Sequence, residues 1–245
     1  MRGGPTWDRY SEAPLVAVGI HPPWVITADE DGRLVRWDLH SGVRVETTSL
    51  CLPPRGLSVD TEGHIAVLVP GSVIVLREGT QPARIAVRDP VQAAFSRCGK
   101  RLAVVAADGS CSLIDLETRA VVAPLEVRGQ IIGVAAGPRD AWLLTTAGGV
   151  HRVAAFGGRA ELVRAAPATG PIACSAIDDT VAFATAAGVT VMRVEAHHQR
   201  STAWVGALEV TGIAFGQPGH LAVKRTIKGI VLRDLAEDRE YRINL

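Results

Sequence analysis

The sequence predicts an all-β chain built from six consecutive units of four antiparallel strands, and three observations carry that reading. Aligning the segments on a tight turn places Gly32, Gly71, Gly109, Gly148, Ala187 and Lys228 in one column, at separations of 39, 38, 39, 39 and 41 residues. A fixed period of that length marks stacked supersecondary units. Two residues on, the column reads Leu34, Val73, Cys111, Val150, Val189 and Ile230, apolar in every copy. No segment holds a 3.6-residue apolar period over a dozen residues, and glycine and proline recur too often for long helices.

In chain order, residues 1–13 (MRGGPTWDRYSEA) form an arm in which Trp7 and Tyr10 are candidate anchors, and 14–245 form a single domain. The first unit places strands over 17–20 and 24–28. They are separated by His21-Pro22-Pro23, which cannot continue a ladder because proline lacks the donor. Asp29-Glu30-Asp31-Gly32 turns the chain. Glycine accepts a positive φ there, and an aspartate can bond the turn's own amides. A third strand ends at Asp38-Leu39 and an outer one covers 43–49. The second unit predicts strands over 56–59, 64–69, 72–76 and around 84–87; the third over 91–95, 101–106, 110–114 and 120–127. The fourth uses 131–135, 141–145, 149–153 and 160–164, and the fifth 172–175, 181–184, 189–194 and 202–208. The sixth uses 210–215, 220–223, 229–233 and 239–245. Four strands per unit account for a period near forty residues.

The segments DGRLVRWDL (31–39) and FSRCGKRLAVVAADGSCSLIDL (95–116) look like the end of one WD40 repeat and the middle of another. The resemblance runs from about Ala13 to the last residue. It implies a divergent, WD40-like β-propeller of six blades, four antiparallel strands per blade, whose sheets each shield the next from water. The chain departs from the family in lacking a Gly-His pair before any first strand and in ending a third strand in Trp-Asp only once. The family's hydrogen-bonded Asp-His-Ser/Thr-Trp set is nowhere complete; Thr27, Asp31 and Trp37 supply three members in the first unit. Those three, with Gly32, Asp38, Asp108, Gly109 and Asp115, are turn and strand markers under this resemblance. The family's partners do not transfer.

Apolar residues make up 47% of the chain and aromatics only 4%, so Val, Ala, Leu and Ile must fill the core. With 26 basic and 25 acidic residues the formal charge is +1, which lacks the basic field that draws a protein to nucleic acid or anionic lipid. Only three basic residues are lysines (Lys100, Lys224, Lys228); with abundant Ala and Gly this points to a GC-rich, bacterial genome. The cysteines (Cys51, Cys98, Cys111, Cys174) show no Cys-x-x-Cys spacing and are too few for a disulfide framework. They fit a cytoplasmic setting. Residues 1–13 show no basic head followed by an apolar run, and no window reaches about 18 apolar residues.

The histidines at 21, 40, 64, 151, 197, 198 and 220 include no His-Glu-x-x-His pattern. His64 and His220 read as turn polarity. His197-His198, in a loop before an outer strand, reads as solvated loop, with metal or pH-dependent partner contact as the alternative. No Gly-x-Ser-x-Gly elbow or phosphate-cradling glycine loop precedes a helix. A single asparagine, Asn244, counts against a metal-hydrolase channel. Of the tryptophans, Trp37 and Trp142 read as packing, and Trp24 and Trp204 as candidate partner contacts. The expected function is a non-catalytic protein–protein interaction scaffold or assembly subunit with a protein partner, without cofactor or metal and without nucleic-acid or membrane binding. Two alternatives stay open: a channel-centred metal-dependent hydrolase or small-ligand binder, and a partial ring completed by another subunit.

Overall fold

The computed structural model describes residues 13–38, 40–125, 127, 129–137, 140–154, 160–165, 168–175, 180–186, 188–195, 198–205, 210–215, 220–225, 229–234 and 239–243. Side chains are described as far as Arg193, except at 123, 168 and 169, and beyond it at Val210 and Ile213. These residues hold 24 strands in six four-stranded antiparallel sheets, each strand pairing with the next in sequence. The first sheet is β1 (Leu15–His21), β2 (Trp24–Asp29), β3 (Arg33–Asp38) and β4 (Arg44–Ser49). The second is β5 (Gly56–Val59), β6 (Ile65–Val69), β7 (Ser72–Leu76) and β8 (Ala83–Ala86). The third is β9 (Pro90–Phe95), β10 (Arg101–Ala106), β11 (Cys111–Asp115) and β12 (Ala120–Leu125). The fourth is β13 (Ile131–Ala136), β14 (Ala141–Thr145), β15 (Gly149–Val153) and β16 (Ala160–Ala165). The fifth is β17 (Ala168–Cys174), β18 (Thr180–Thr185), β19 (Gly188–Glu195) and β20 (His198–Val205). The sixth is β21 (Val210–Phe215), β22 (His220–Arg225), β23 (Gly229–Asp234) and β24 (Arg239–Ile243).

Every predicted strand has a counterpart, and most ends agree within two residues. The fifth sheet differs most. The β19–β20 ladder runs unbroken from Gly188↔Val205 to Glu195↔His198, so the outer strand begins four residues earlier than expected. His198 is therefore a strand residue and not part of a loop. The turn column behaves as a glycine column should: Gly32, Gly71, Gly109 and Gly148 have φ of 79°, 73°, 79° and 77°, in the left-handed region that a side chain resists. Ala187 and Lys228 of that column lie outside the described residues.

The strands of the second, third and fourth sheets have apolar residues on both faces because each of these sheets lies between two others. Ile26, Ala28 and Leu34 of the first sheet pack on Ile65, Val67 and Ile74 of the second. The other face of the second sheet, with Ala66, Leu68 and Val73, meets Phe95, Leu102 and Ile114 of the third. Ala103, Val105 and Leu113 then meet Ile131, Leu143 and Val153 of the fourth, and Trp142, Leu144 and Val150 meet Val181, Phe183 and Met192 of the fifth. The innermost strands touch in series, β1 to β5, β9, β13, β17 and β21. Burying one such Leu or Phe is worth roughly 1.5–3 kcal/mol, so each sheet depends on its neighbours.

Among the described residues the first sheet carries exposed apolar side chains on the innermost strand of one face, while Thr27 and Val35 on that face are buried. In the third sheet Phe95, Leu102 and Ile114 lie directly opposite one another across the strands and are 4%, 0% and 0% exposed beneath the second sheet. The matching row of the first sheet is Ile20, Val25 and Trp37. It is equally apolar, yet Ile20 is 61% exposed, and Val18, two residues back on the same face, is 55% exposed. Val16, Val43 and Val45 are exposed as well.

Candidate functional site

The ends of four innermost strands, β5, β9, β13 and β17, border one rim. Backbone bonds close the turns that follow them: Asp60 N donates to His64 O, Ser96 N to Arg101 O, Gly137 N to Asp140 O and Ser175 N to Thr180 O. Between the strands and this rim lies a cavity of about 650 Å³ bordered by residues of all six sheets, among them Ile20, Val59, Ala93, Val134, Ala173 and Ile213. Those side chains form an apolar wall. The polar lining consists of His21, Ser58, Asp60, Thr61, Ser96, Arg97 and Cys174.

The most constrained polar group at the rim is Asp60. Its buried carboxylate accepts from the backbone N–H of Glu62 and of His64 and sits 2.7 Å from His64 Nδ1. The pair fixes the imidazole, and Gly99 of the next turn packs against both: a Cβ there would lie 2.8 Å from Asp60 Oδ2 and 3.0 Å from His64 Nδ1. His64 is thus a structural clamp between neighbouring turns. Its Asp-x-x-x-His spacing was the available sequence signal. Beside it, the Cys98 thiol lies 3.4 Å from Ser96 Oγ. That contact, with the Lys100 backbone amide next, holds it below the usual thiol range. Burial does the opposite to Cys111, whose thiol is pushed up to about 12. The four cysteines form no disulfide with one another.

A second feature of the rim is Gly137. A Cβ there would lie 2.9 Å from Cys174 Sγ and 3.1 Å from Trp142 Nε1. Trp142 is fully buried, and its indole N–H has no hydrogen-bond partner. A buried unpaired donor costs about 1–3 kcal/mol, and it sits behind Gly137.

No family model matches the chain, and no curated protein matches it. Function must therefore be argued from residues. Among the described residues no three His, Cys, Asp or Glu side chains converge, and no helix is long and apolar enough to cross a membrane.

The sequence-predicted residues distribute as follows. Trp37 Nε1 donates to Thr27 Oγ1 at 2.9 Å, so two of the three suggested set members meet. The third, Asp31, does not join them; its carboxylate is 3.8 Å from Arg33. The carboxylate that ties the turn ending at Gly32 is the buried Asp29, accepting from the N–H of Asp31 and of Arg33. Asp38 accepts from the N–H of His40 and Ser41 and from Ser41 Oγ. Asp115 does the same with Glu117 and Thr118, and Asp108 binds Ser110 N and Oγ just before Gly109 turns the chain. All three carboxyls are held below the usual range by those bonds.

Trp24 begins β2 and is half-buried, with the Arg36 guanidinium 6.0 Å from its ring centroid. It is a less open contact than the sequence suggested, because the β2–β3 ladder carries Arg36 beside it. Trp204 lies in β20 opposite Val189, with its side chain outside the described set. His197 also lies outside the described residues, and of His198 only the backbone pairing is described. Sequence reasoning placed His64 in a turn without its partner, and it did not single out Asp60, Arg97, Gly137 and Cys174, which lie at one rim in four different units.

Proposed function

We propose that the chain is a six-bladed, WD40-like β-propeller subunit that acts without catalysis, as a cytoplasmic assembly module whose ring is completed by a protein partner. The architecture is supported by the serial contact of the innermost strands and by the one cavity that all six sheets border. The observation that carries the role is the exposure of Val18 and Ile20 on the innermost strand of the first sheet. Its row Ile20, Val25 and Trp37 has the chemistry of the row Phe95, Leu102 and Ile114, which a neighbouring sheet covers. An aliphatic face of this kind, left in water, marks a place where another protein packs. The partner binds there as one further sheet in the stack.

The test is capture from the source cells with tagged wild type and with Val18→Asp. Val18 lies on the open face and does not border the cavity. A partner present at constant stoichiometry with wild type and lost with Val18→Asp supports the reading. Equal recovery on both refutes the face, and the same comparison with Trp24→Ala and Trp204→Ala locates any contact on the other candidates. A second reading, small-ligand binding at the cavity, is favoured by its apolar wall and polar rim.

A further inference from the structure

We propose that the cavity at the rim binds a short aliphatic carboxylate, its chain against Val59, Ala93, Val134 and Ala173 and its head beside Arg97. The assignment stands on the cavity and not on the partner reading. Its size of about 650 Å³ lies within the range of small-molecule sites, which combine an apolar lining with a few placed polar groups. Here an apolar majority is joined by a few polar side chains, a combination that an amphiphile matches. The wall carries the small, half-buried side chains of Ala93, Ala136 and Ala173, from three adjacent sheets. An alkyl chain gains by leaving water there.

The sign of the head follows from which rim groups remain unpaired. Asp60 is already engaged by two backbone N–H groups and His64, so its carboxylate is committed to the fold. Arg97 is exposed at the rim, and among the described residues its guanidinium has no ion-pair or hydrogen-bond partner. Its backbone carbonyl is held by Thr61 Oγ1 at 3.4 Å, which fixes the turn that presents the side chain. The Arg97 guanidinium therefore leaves a positive charge at the rim without a partner among the described residues. A carboxylate supplies what is missing, and a guanidinium binds it through two parallel hydrogen bonds.

The experiment is calorimetric titration of the full chain with sodium octanoate, with octan-1-ol and octylammonium chloride as controls. Saturable one-to-one binding of octanoate is expected, with a dissociation constant on the order of 0.1–1 mM and at least tenfold weaker binding of octylammonium. Arg97→Gln should weaken octanoate about tenfold while changing octanol less than threefold, and Ala93→Leu should weaken both. Circular dichroism and the melting temperature of each variant show whether it has kept its fold. Absence of saturable octanoate binding overturns the proposal, as does octylammonium binding equally well or a folded Arg97→Gln that binds octanoate as wild type does. None of these outcomes touches the partner reading, which Val18→Asp tests separately.

Discussion

Placing a charge on the open face of the first sheet separates a chain that waits for a partner from one that is already closed. Val18 is 55% exposed, so Val18→Asp removes somewhat under half of a burial worth about 1.5–3 kcal/mol, a loss of roughly 0.7–1.4 kcal/mol. The new carboxylate stays hydrated and ionised, adding little. For a chain of this length 1 kcal/mol shifts the melting temperature by about 2–4 °C, so a drop of about 2–5 °C is expected. Val104→Asp is the control. Val104 lies in the middle of the third sheet and is buried, and a carboxylate pressed between two sheets costs several kcal/mol. That variant should fail to fold or melt at least 10 °C lower. Thermal melts at neutral pH, checked by urea midpoints, make the comparison. If Val18→Asp is as damaging as Val104→Asp, the face is covered within the single chain and the docking argument collapses.

Three further outcomes follow from the structure. Gly32→Ala should cost several times as much as Gly71→Ala in urea midpoint, since both have positive φ but only at Gly32 would a Cβ press within 2.7 Å of a backbone carbonyl, that of Leu52; equal costs would leave strain in φ as the whole effect. At pH 8 iodoacetamide should label Cys98 in the native protein and Cys111 only on unfolding, as peptide mass mapping would show, because the first thiol is exposed and lowered while the second is raised by burial. Desolvation holds the His151 imidazole below its usual 6.5, so the unfolded chain takes the proton first. Stability should therefore fall as pH drops through about 6.5 toward the folded value, and His151→Gln should flatten that part of the urea-midpoint profile between pH 8 and 5.

The strands were legible because their signal is local. A glycine every 39 residues, with an apolar residue two positions on, fixes a turn and the strand after it whatever surrounds them, and Gly32, Gly71, Gly109 and Gly148 share one backbone conformation as a result. The turn carboxylates were legible in kind but not always in place. Asp31 precedes the glycine as Asp108 does, yet Asp29 ties the first turn, because a run of Asp-Glu-Asp offers two acceptors and only the buried one reaches the amides. The length of β20 was missed because the tight pairing Glu195↔His198 sits where the sequence shows two polar histidines and no hydrophobic alternation.

What escaped the sequence depends on distance along the chain. Asp60, Ser96, Gly137 and Cys174 occupy the ends of four separate innermost strands, and only the stacking of sheets makes them neighbours at one rim. The open face shows the same limit most sharply. Ile20 and Phe95 occupy the same place in their units and have the same preference for burial, yet one is 61% exposed and the other 4%. The difference lies in the sheet that precedes each. The third sheet packs on the second, whereas among the described residues β1 makes no extended contact with β21 of the sixth. An apolar strand face is a demand for a neighbour, and where the chain leaves that demand unmet, the shape of what would meet it can be read from the interfaces already made. A partner that satisfies the first sheet should therefore present small aliphatic residues in the manner of Ala66, Leu68 and Val73, the face that covers Phe95 and Leu102.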